Sequence, residues 1–220
     1  SRLSDLMVET TRHLVKETGA CIGYTQSDEI TLVLAPHGPN SEPWLGGKLQ
    51  KLVSITASQA TAFFNAAVLQ AIPEKAGKLA VFDSRAWVVP SREEAVNALL
   101  WRELDATKNS ISMATRHYYS HKQMHKKTGS EMQDMLHAVG VNWNDYPAFF
   151  KRGSFLRRVV VERTLTPAEL EGLPERHDAR RNPDLVVTRS SIEVCPMPPF
   201  MQVVNRADVV FEGAEPQVAQ

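Results

Sequence analysis

The sequence runs to 220 residues, 43% hydrophobic, enough for one well-filled core with room for an appended subdomain. Lysine plus arginine and aspartate plus glutamate each number 25, so the net formal charge of zero gives no global pointer to nucleic acid while leaving room for a local basic face. Two cysteines, Cys21 and Cys195, exclude a disulfide framework and fit a reducing, cytoplasmic setting; no run of eighteen apolar residues predicts a membrane span, and the start has no apolar signal core.

The chain opens on an amphipathic helix already under way, over about 3–18, with Leu3, Leu6, Met7, Leu14 and Val15 near one face and Gly19 as its stop. Such an opening implies a preceding segment. Two short strands, about 20–25 and 29–35, meet at Ser27-Asp28-Glu29, and Pro36–Pro43 is a loop by composition. Residues 45–70 read as a helix with Leu49, Leu52, Val53, Ile55, Thr56, Phe63 and Phe64 as buried candidates, and Ala80–Val89 reads as a strand closed by Pro90. Ser91 and Glu94 form a capping box that opens a long helix to about 118; a second box, Ser130 with Gln133, leads a short helix to His137, ended by Gly140. Val159-Val160-Val161 marks a strand, residues 165–184 a charged, proline-punctuated and mobile insertion, and the end holds one more strand and a fraying tail. This order predicts an α+β fold, with helices on one face of a mainly antiparallel sheet, divided into 1–160 and a C-terminal extension, 161–220.

Four groups of residues carry chemical potential. Asp28 and Glu29, in GYTQSDEITLVL, do no turn chemistry that one carboxylate could not do alone. They are either a solvated tip or the holder of a hard divalent cation, which takes one or two carboxylates plus substrate phosphates. Gly46-Gly47-Lys48-Leu49-Gln50-Lys51 lets backbone amides and two ammonium groups approach one anion, although it is no Walker sequence; a flexible turn before a surface helix is the alternative. His117, His121 and His125 recur every four residues amid Arg116, Tyr118, Tyr119, Lys122, Lys126 and Lys127. That spacing fits a solvated face, an RNA-backbone face or, less well, a zinc face, since no Glu or Cys completes a ligand set. Asp83 and Arg85 read as a buried pair that pins a strand, or as a metal or nucleotide contact.

Taken together, YTQSDEITLVL, GGKLQKLVS, FDSRAWVVP, WRELDATKNSISMATRHYYSHKQMHKKTGSEMQDML and VNWNDYPAFFKRG are collinear over roughly 5–155, with weaker echoes at VVTR and MPPF. In these stretches the chain resembles the tRNA-His guanylyltransferase family, in particular its bacterial and archaeal guanylyltransferase-like branch. The resemblance implies a polymerase-like palm and addition of nucleotides to the 5′ end of tRNA, in the 3′→5′ direction, with two Mg²⁺ ions. ATP would first adenylylate the 5′-monophosphate, and the 3′-hydroxyl of GTP would then attack the activated end. It implies Asp28 as a metal-binding catalytic carboxylate flanked by Ser27 and Glu29, and Lys48 and Lys51 at the triphosphate. His121, Lys122, Lys126, Lys127, Lys151 and Arg152 would face tRNA, with Asn142 and Asn144 near the active site or the tRNA, and the protein would be a homo-oligomer, a tetramer by resemblance.

Two departures stand out. The family's Asp-Gly-Arg motif, which supplies its first metal ligand from an earlier strand, is absent from the sequence. Thr107 stands where a histidine of the eukaryotic enzymes would be, which favours templated repair of truncated 5′ ends over untemplated addition. A non-catalytic tRNA-binding module and a palm-type nucleotide cyclase are the rival readings.

Overall fold

The computed structural model describes residues 2–36, 38, 41–182 and 184–219. Helix α1 (Arg2–Thr18) leads into a hairpin of β1 (Ile22–Gln26) and β2 (Glu29–Val33), followed by α2 (Leu49–Ala71) and α3 (Arg92–Arg116). Short helices α4 (His121–Met124), α5 (Gly129–Ala138) and α6 (Ala148–Arg152) bring the chain back to β3 (Ser154–Thr164). Then come α7 (Pro167–Glu171), α8 (Asp178–Arg181), β4 (Val186–Cys195) and α9 (Arg206–Phe211). The strands form one antiparallel sheet in the order β2-β1-β3-β4.

Strand alternation sorts the core onto two faces. On one, Val15 and Ala20 pack with Leu156 and Ile192 beneath α1; Gly23 permits the approach, because a Cβ there would come within 2.6 Å of Val15 and 2.8 Å of Thr11. The buried threonines of α1 return their hydroxyls to carbonyls one turn back, Thr10 to Leu6 and Thr11 to Met7 at 2.8 Å, so no polar group is orphaned there. On the other face Ile22, Tyr24, Phe155 and Cys195 meet Val96 and Leu99 of α3, Phe200, Val203, and Val209 and Val210 of α9. Each such buried aliphatic side chain favours folding by about 1.5–3 kcal/mol. The antiparallel sheet stands as the sequence predicts; its helical cover is two-sided.

Several expectations need correction. Ala80–Val89 is extended but joins no ladder among the described residues. Side chains of α2 take its backbone instead: Asn65 bonds Ala80 through both its amide atoms, and Thr61 accepts from the Phe82 N–H at 3.0 Å. The buried stripe of α2 is Ala60, Phe64 and Val68; of the candidates read from sequence only Phe64 belongs to it, and Leu49 is 51% exposed. Helices α1 and α2 run antiparallel, Arg2 pairing with Glu74 at one end and His13 stacking on Phe63 further along. With 17 residues against 23, α1 therefore runs out before the first turns of α2. By length and composition α2 could cross a membrane, which the search for an unbroken apolar run misses; here its stripe packs on α1.

The second capping box is Thr128 with Glu131, not Ser130 with Gln133, and a further one, Ser120 with Gln123, opens α4. Asp83 and Arg85 pair at 3.3 Å in the open, 82% and 86% exposed, so burial plays no part. The 165–184 insertion forms α7 and α8, anchored by buried Leu165 and Ala179, and the C-terminal segment forms α9 where a strand is expected. The expected boundary at 160 falls inside β3, whose partner β4 lies beyond it. Of the Pro36–Pro43 loop, His37, Pro39 and Asn40 lie outside the described residues, as do Pro183, Ser1 and Gln220.

Candidate active site

The hairpin closes in two residues, since Gln26 pairs with Glu29. Ser27 carries the positive φ, +51°, that such a loop demands, in a position where glycine is usual. The left-handed backbone costs about 1–2 kcal/mol in a residue with a Cβ, and strain of this kind collects at functional sites. It leaves Asp28 exposed, with no hydrogen bond or ion pair among the described residues. Thr25 donates its hydroxyl to the Glu29 carbonyl at 2.9 Å and ties the tip to β1. The Glu29 carboxylate lies 3.7 Å from the guanidinium of Arg102, itself 4.9 Å from the Trp101 ring centroid.

Across from the tip stands α3. Asn109, Ser112, Met113 and Arg116, at i, i+3, i+4 and i+7, form one stripe, and with Gln26, Ser27, Asp28 and Glu29 they enclose a cleft of about 320 Å³. An adjoining hollow of about 160 Å³ shares Gln26, Ser27 and Met113 and is lined chiefly by apolar groups, among them Met7, Phe149 and Phe150. A charged cleft and an apolar hollow thus lie side by side, bordering on Gln26, Ser27 and Met113.

On the buried face of α3, nearly two turns before Asn109, lies a carboxylate. Glu103 is 3% exposed, accepts the Phe200 N–H at 2.8 Å and sits 3.8 Å from Arg152. Burial pushes its carboxyl up to about 7, against the opposing pull of the Phe200 N–H and Arg152. Tyr24, raised by burial and by the negative charge of Glu103, donates its hydroxyl to the Arg152 carbonyl at 2.8 Å. These bonds fix α3, α6 and β1 against one another.

The structure brings some of the expected residues together and separates others. Ser27, Asp28 and Glu29 share the cleft. Lys48 and Lys51 do not line it. Ile30 packs into the cluster of Phe64, Val68 and Ile72, and Lys51 lies about 20 Å along α2 from Phe64, toward the opposite end. The segment from His121 to Lys127 follows the end of α3 that carries Arg116, so it borders the cleft's α3 wall; within it Lys127 is paired with Glu131 at 2.9 Å. His117, His121 and His125 do not share a helix, because α3 ends at Arg116 and α4 spans only His121–Met124. Lys151 bonds the Asn144 carbonyl and lies 5.4 Å from the Trp143 ring centroid, and Arg152 serves Glu103. Asn142 caps the short turn at Trp143–Asp145, accepting from the Asn144 N–H at 3.0 Å.

Sequence reasoning missed Arg102, Glu103 and the Asn109–Arg116 stripe as site residues. A signal existed for Glu103, a lone acid in the run Val96, Leu99, Ala106 that a helical period buries.

Comparisons with known proteins follow this geometry. The family model described as tRNAHis guanylyltransferase matches residues 1–90. A bacterial tRNA(His) guanylyltransferase (Thg1)-like protein, solved in complex with ATP, is 38% identical, covering 72% of this chain and 68% of its own at a TM-score of 0.68. A bacterial protein of the same description, in complex with GTP, is 30% identical, covering 91% and 74% at 0.64. The Saccharomyces cerevisiae tRNA(His) guanylyltransferase, 23% identical, shares the fold at a TM-score of 0.64 over 71% of this chain and 74% of its own. The uncharacterized protein R259 of Acanthamoeba polyphaga mimivirus is 25% identical over 73% of this chain, which spans 63% of that relative.

Proposed function

The chain belongs to the tRNAHis guanylyltransferase family, and from that premise we propose that it is a nucleotidyltransferase adding nucleotides, GTP foremost, to RNA 5′ ends. One observation carries the reading: the carboxylate of Asp28, presented without a partner among the described residues, faces the polar stripe of α3 across a cleft that borders an apolar hollow. Such a pair of compartments suits a nucleotide, with phosphates in the first and base in the second. Two family relatives are described as complexes with ATP and with GTP.

Magnesium fits in part. It takes oxygen ligands, keeps several waters and is held by one or two carboxylates plus substrate phosphates. Asp28 offers one position and Glu29 the nearest second, although Arg102 shares its charge. Among the described residues no group of three or more His, Cys, Asp or Glu could hold an ion, so the residues suit one ion completed by phosphates, and a second ion lacks its carboxylate here. When bound, the ion would neutralise phosphate charge and polarise the phosphorus under attack.

The chain's own part is alignment. Arg102 orients Glu29; the Ser27 backbone projects Asp28; the walls at Met7, Phe149 and Phe150 exclude water from the base. In the proposed sequence an oxygen of the RNA 5′-monophosphate attacks the α-phosphorus of ATP and pyrophosphate leaves. The 3′-hydroxyl of GTP then attacks the activated 5′-phosphorus, AMP leaves, and the hydroxyl proton passes to solvent. Repair of truncated 5′ ends is the substrate setting we propose, from Thr107 on α3.

The test incubates the full chain with 5′-monophosphorylated tRNA, ATP, labelled GTP and Mg²⁺. Extended 5′ ends, lost on chelation, are expected. A second reading rests on the missing third ligand among the described residues: a non-catalytic tRNA-binding module. Tight tRNA binding with neither extension nor metal-dependent GTP binding would establish it in place of the enzyme.

A further inference from the structure

We propose that Arg116 is the anion anchor of the cleft, its guanidinium holding a phosphate of the same metal-chelated triphosphate whose metal is held by Asp28. The inference rests on the nucleotidyl-transfer reading and assigns a residue to it.

The cleft contains an unpartnered anion and an unpartnered cation on opposite walls. Asp28 has no ion pair among the described residues, whereas its neighbour Glu29 has Arg102 at 3.7 Å. Arg116 likewise has no carboxylate within ion-pair distance among the described residues. Two opposite charges that line one cleft yet stay apart accommodate a ligand carrying both signs. A cation chelated by an oligophosphate is such a ligand.

The other groups on the α3 wall are committed elsewhere or lack a donor. Asn109 donates to the Asp105 carboxylate at 3.0 Å, Ser112 faces the Met132 sulfur at 3.6 Å, and Met113 has no hydrogen to give. Nor does the helix help, because Arg116 lies in the last turn of α3, where a helix presents carbonyls that repel phosphate. Attraction of a phosphate to this wall therefore falls to one side chain. A guanidinium suits the task, presenting a planar fork of donors that matches two phosphate oxygens at once. The lysines expected at the triphosphate, Lys48 and Lys51, do not line the cleft.

Calorimetric titration of the full chain, without RNA, tests this with two probes, Mg²⁺-GTP and Mg²⁺-tripolyphosphate, the second having no base or sugar. Arg116→Ala is expected to weaken both by the same factor, about tenfold or more. Arg116→Lys should recover part of the loss by keeping charge without the fork. Arg181→Ala, an exposed arginine on α8 that does not line the cleft, should change neither. Loss of GTP but not of tripolyphosphate affinity overturns the proposal, since the contact would then be to base or sugar. If Arg116→Ala binds both probes like the wild type while Asp28→Asn binds neither, the anchor is wrong and the nucleotidyl-transfer reading stands. If the wild type itself binds neither, both fall. Should the alanine variant fold poorly, the lysine variant decides alone: tripolyphosphate affinity equal to the wild type's rejects the fork contact.

Discussion

Glu103 is the residue at which burial and charge conflict most openly in this fold. Its carboxyl, raised by burial from an ordinary 4.5 to about 7, stays protonated in the folded chain at pH values where the unfolded chain has released the proton. The folded state thus binds more protons between those values, and stability falls as pH rises through the window. The loss amounts to about 3 kcal/mol when complete. Thermal melting followed from pH 5 to pH 8 should show the wild type losing stability relative to Glu103→Gln, whose flatter profile reflects a neutral side chain that still accepts the Phe200 N–H. Parallel profiles for the two proteins would mean that Glu103 is charged throughout. The place of Asp28 at an exposed hairpin tip was legible in the sequence from the two apolar runs that flank it, while its part in the site rests on the family resemblance. Glu103 was legible only in part: the spacing of Val96, Leu99 and Ala106 puts its position on the buried face, but a glutamate in a charged helix looks solvated until the packing partners of that helix are known.

At the scale of elements, the junction of α6 and β3 sets where the hairpin tip sits. Gly153, at φ +76°, lies so close to β1 that a Cβ would come 2.5 Å from the Thr25 carbonyl oxygen and 2.7 Å from the Tyr24 hydroxyl. Gly153→Ala adds overpacking of about 1–3 kcal/mol to the strain of a backbone region, φ +76° with ψ −164°, that is essentially glycine-only and costs about 1–3 kcal/mol. Urea unfolding should show a loss of about 2–6 kcal/mol, and nucleotide affinity should fall with it as β1 shifts. A variant as stable as the wild type would show that the junction is loose. Helices α1, α2, α3 and α5 could be read from period and caps, and the hairpin from its two flanking apolar runs; the short helices α4 and α6 to α9 could not, being too brief to show a period. Ala80–Val89 could not: its alternation is that of a strand, but alternation specifies faces and not neighbours, and its partners are Asn65 and Thr61 of a helix. Likewise the stripe of α2 depended on where α1 ends.

For the molecule as a whole, a net charge of zero conceals an uneven distribution. Lys122 and Lys126, beside the end of α3, have no ion pair among the described residues, while Lys127, Arg152 and Arg157 are each paired within the fold. Of the residues that the family resemblance places at tRNA, Lys127 and Arg152 are thus engaged within the fold, whereas Lys122 and Lys126 keep their charge for a partner. If the free lysines meet tRNA phosphates, the affinity falls with salt, and Lys122→Ala with Lys126→Ala reduces the slope of log K against log salt by about two. Filter binding between 50 and 200 mM salt measures it. An unchanged slope would place the RNA on another face.

The assignment of Asp28 is tested most directly by the metal dependence of nucleotide binding. Mg²⁺ titrated into the full chain with GTP should promote binding in the wild type and fail to do so in Asp28→Asn, with both proteins melting at the same temperature because the side chain is exposed and has no partner among the described residues. Equal Mg²⁺-dependent affinity in the two proteins would contradict it.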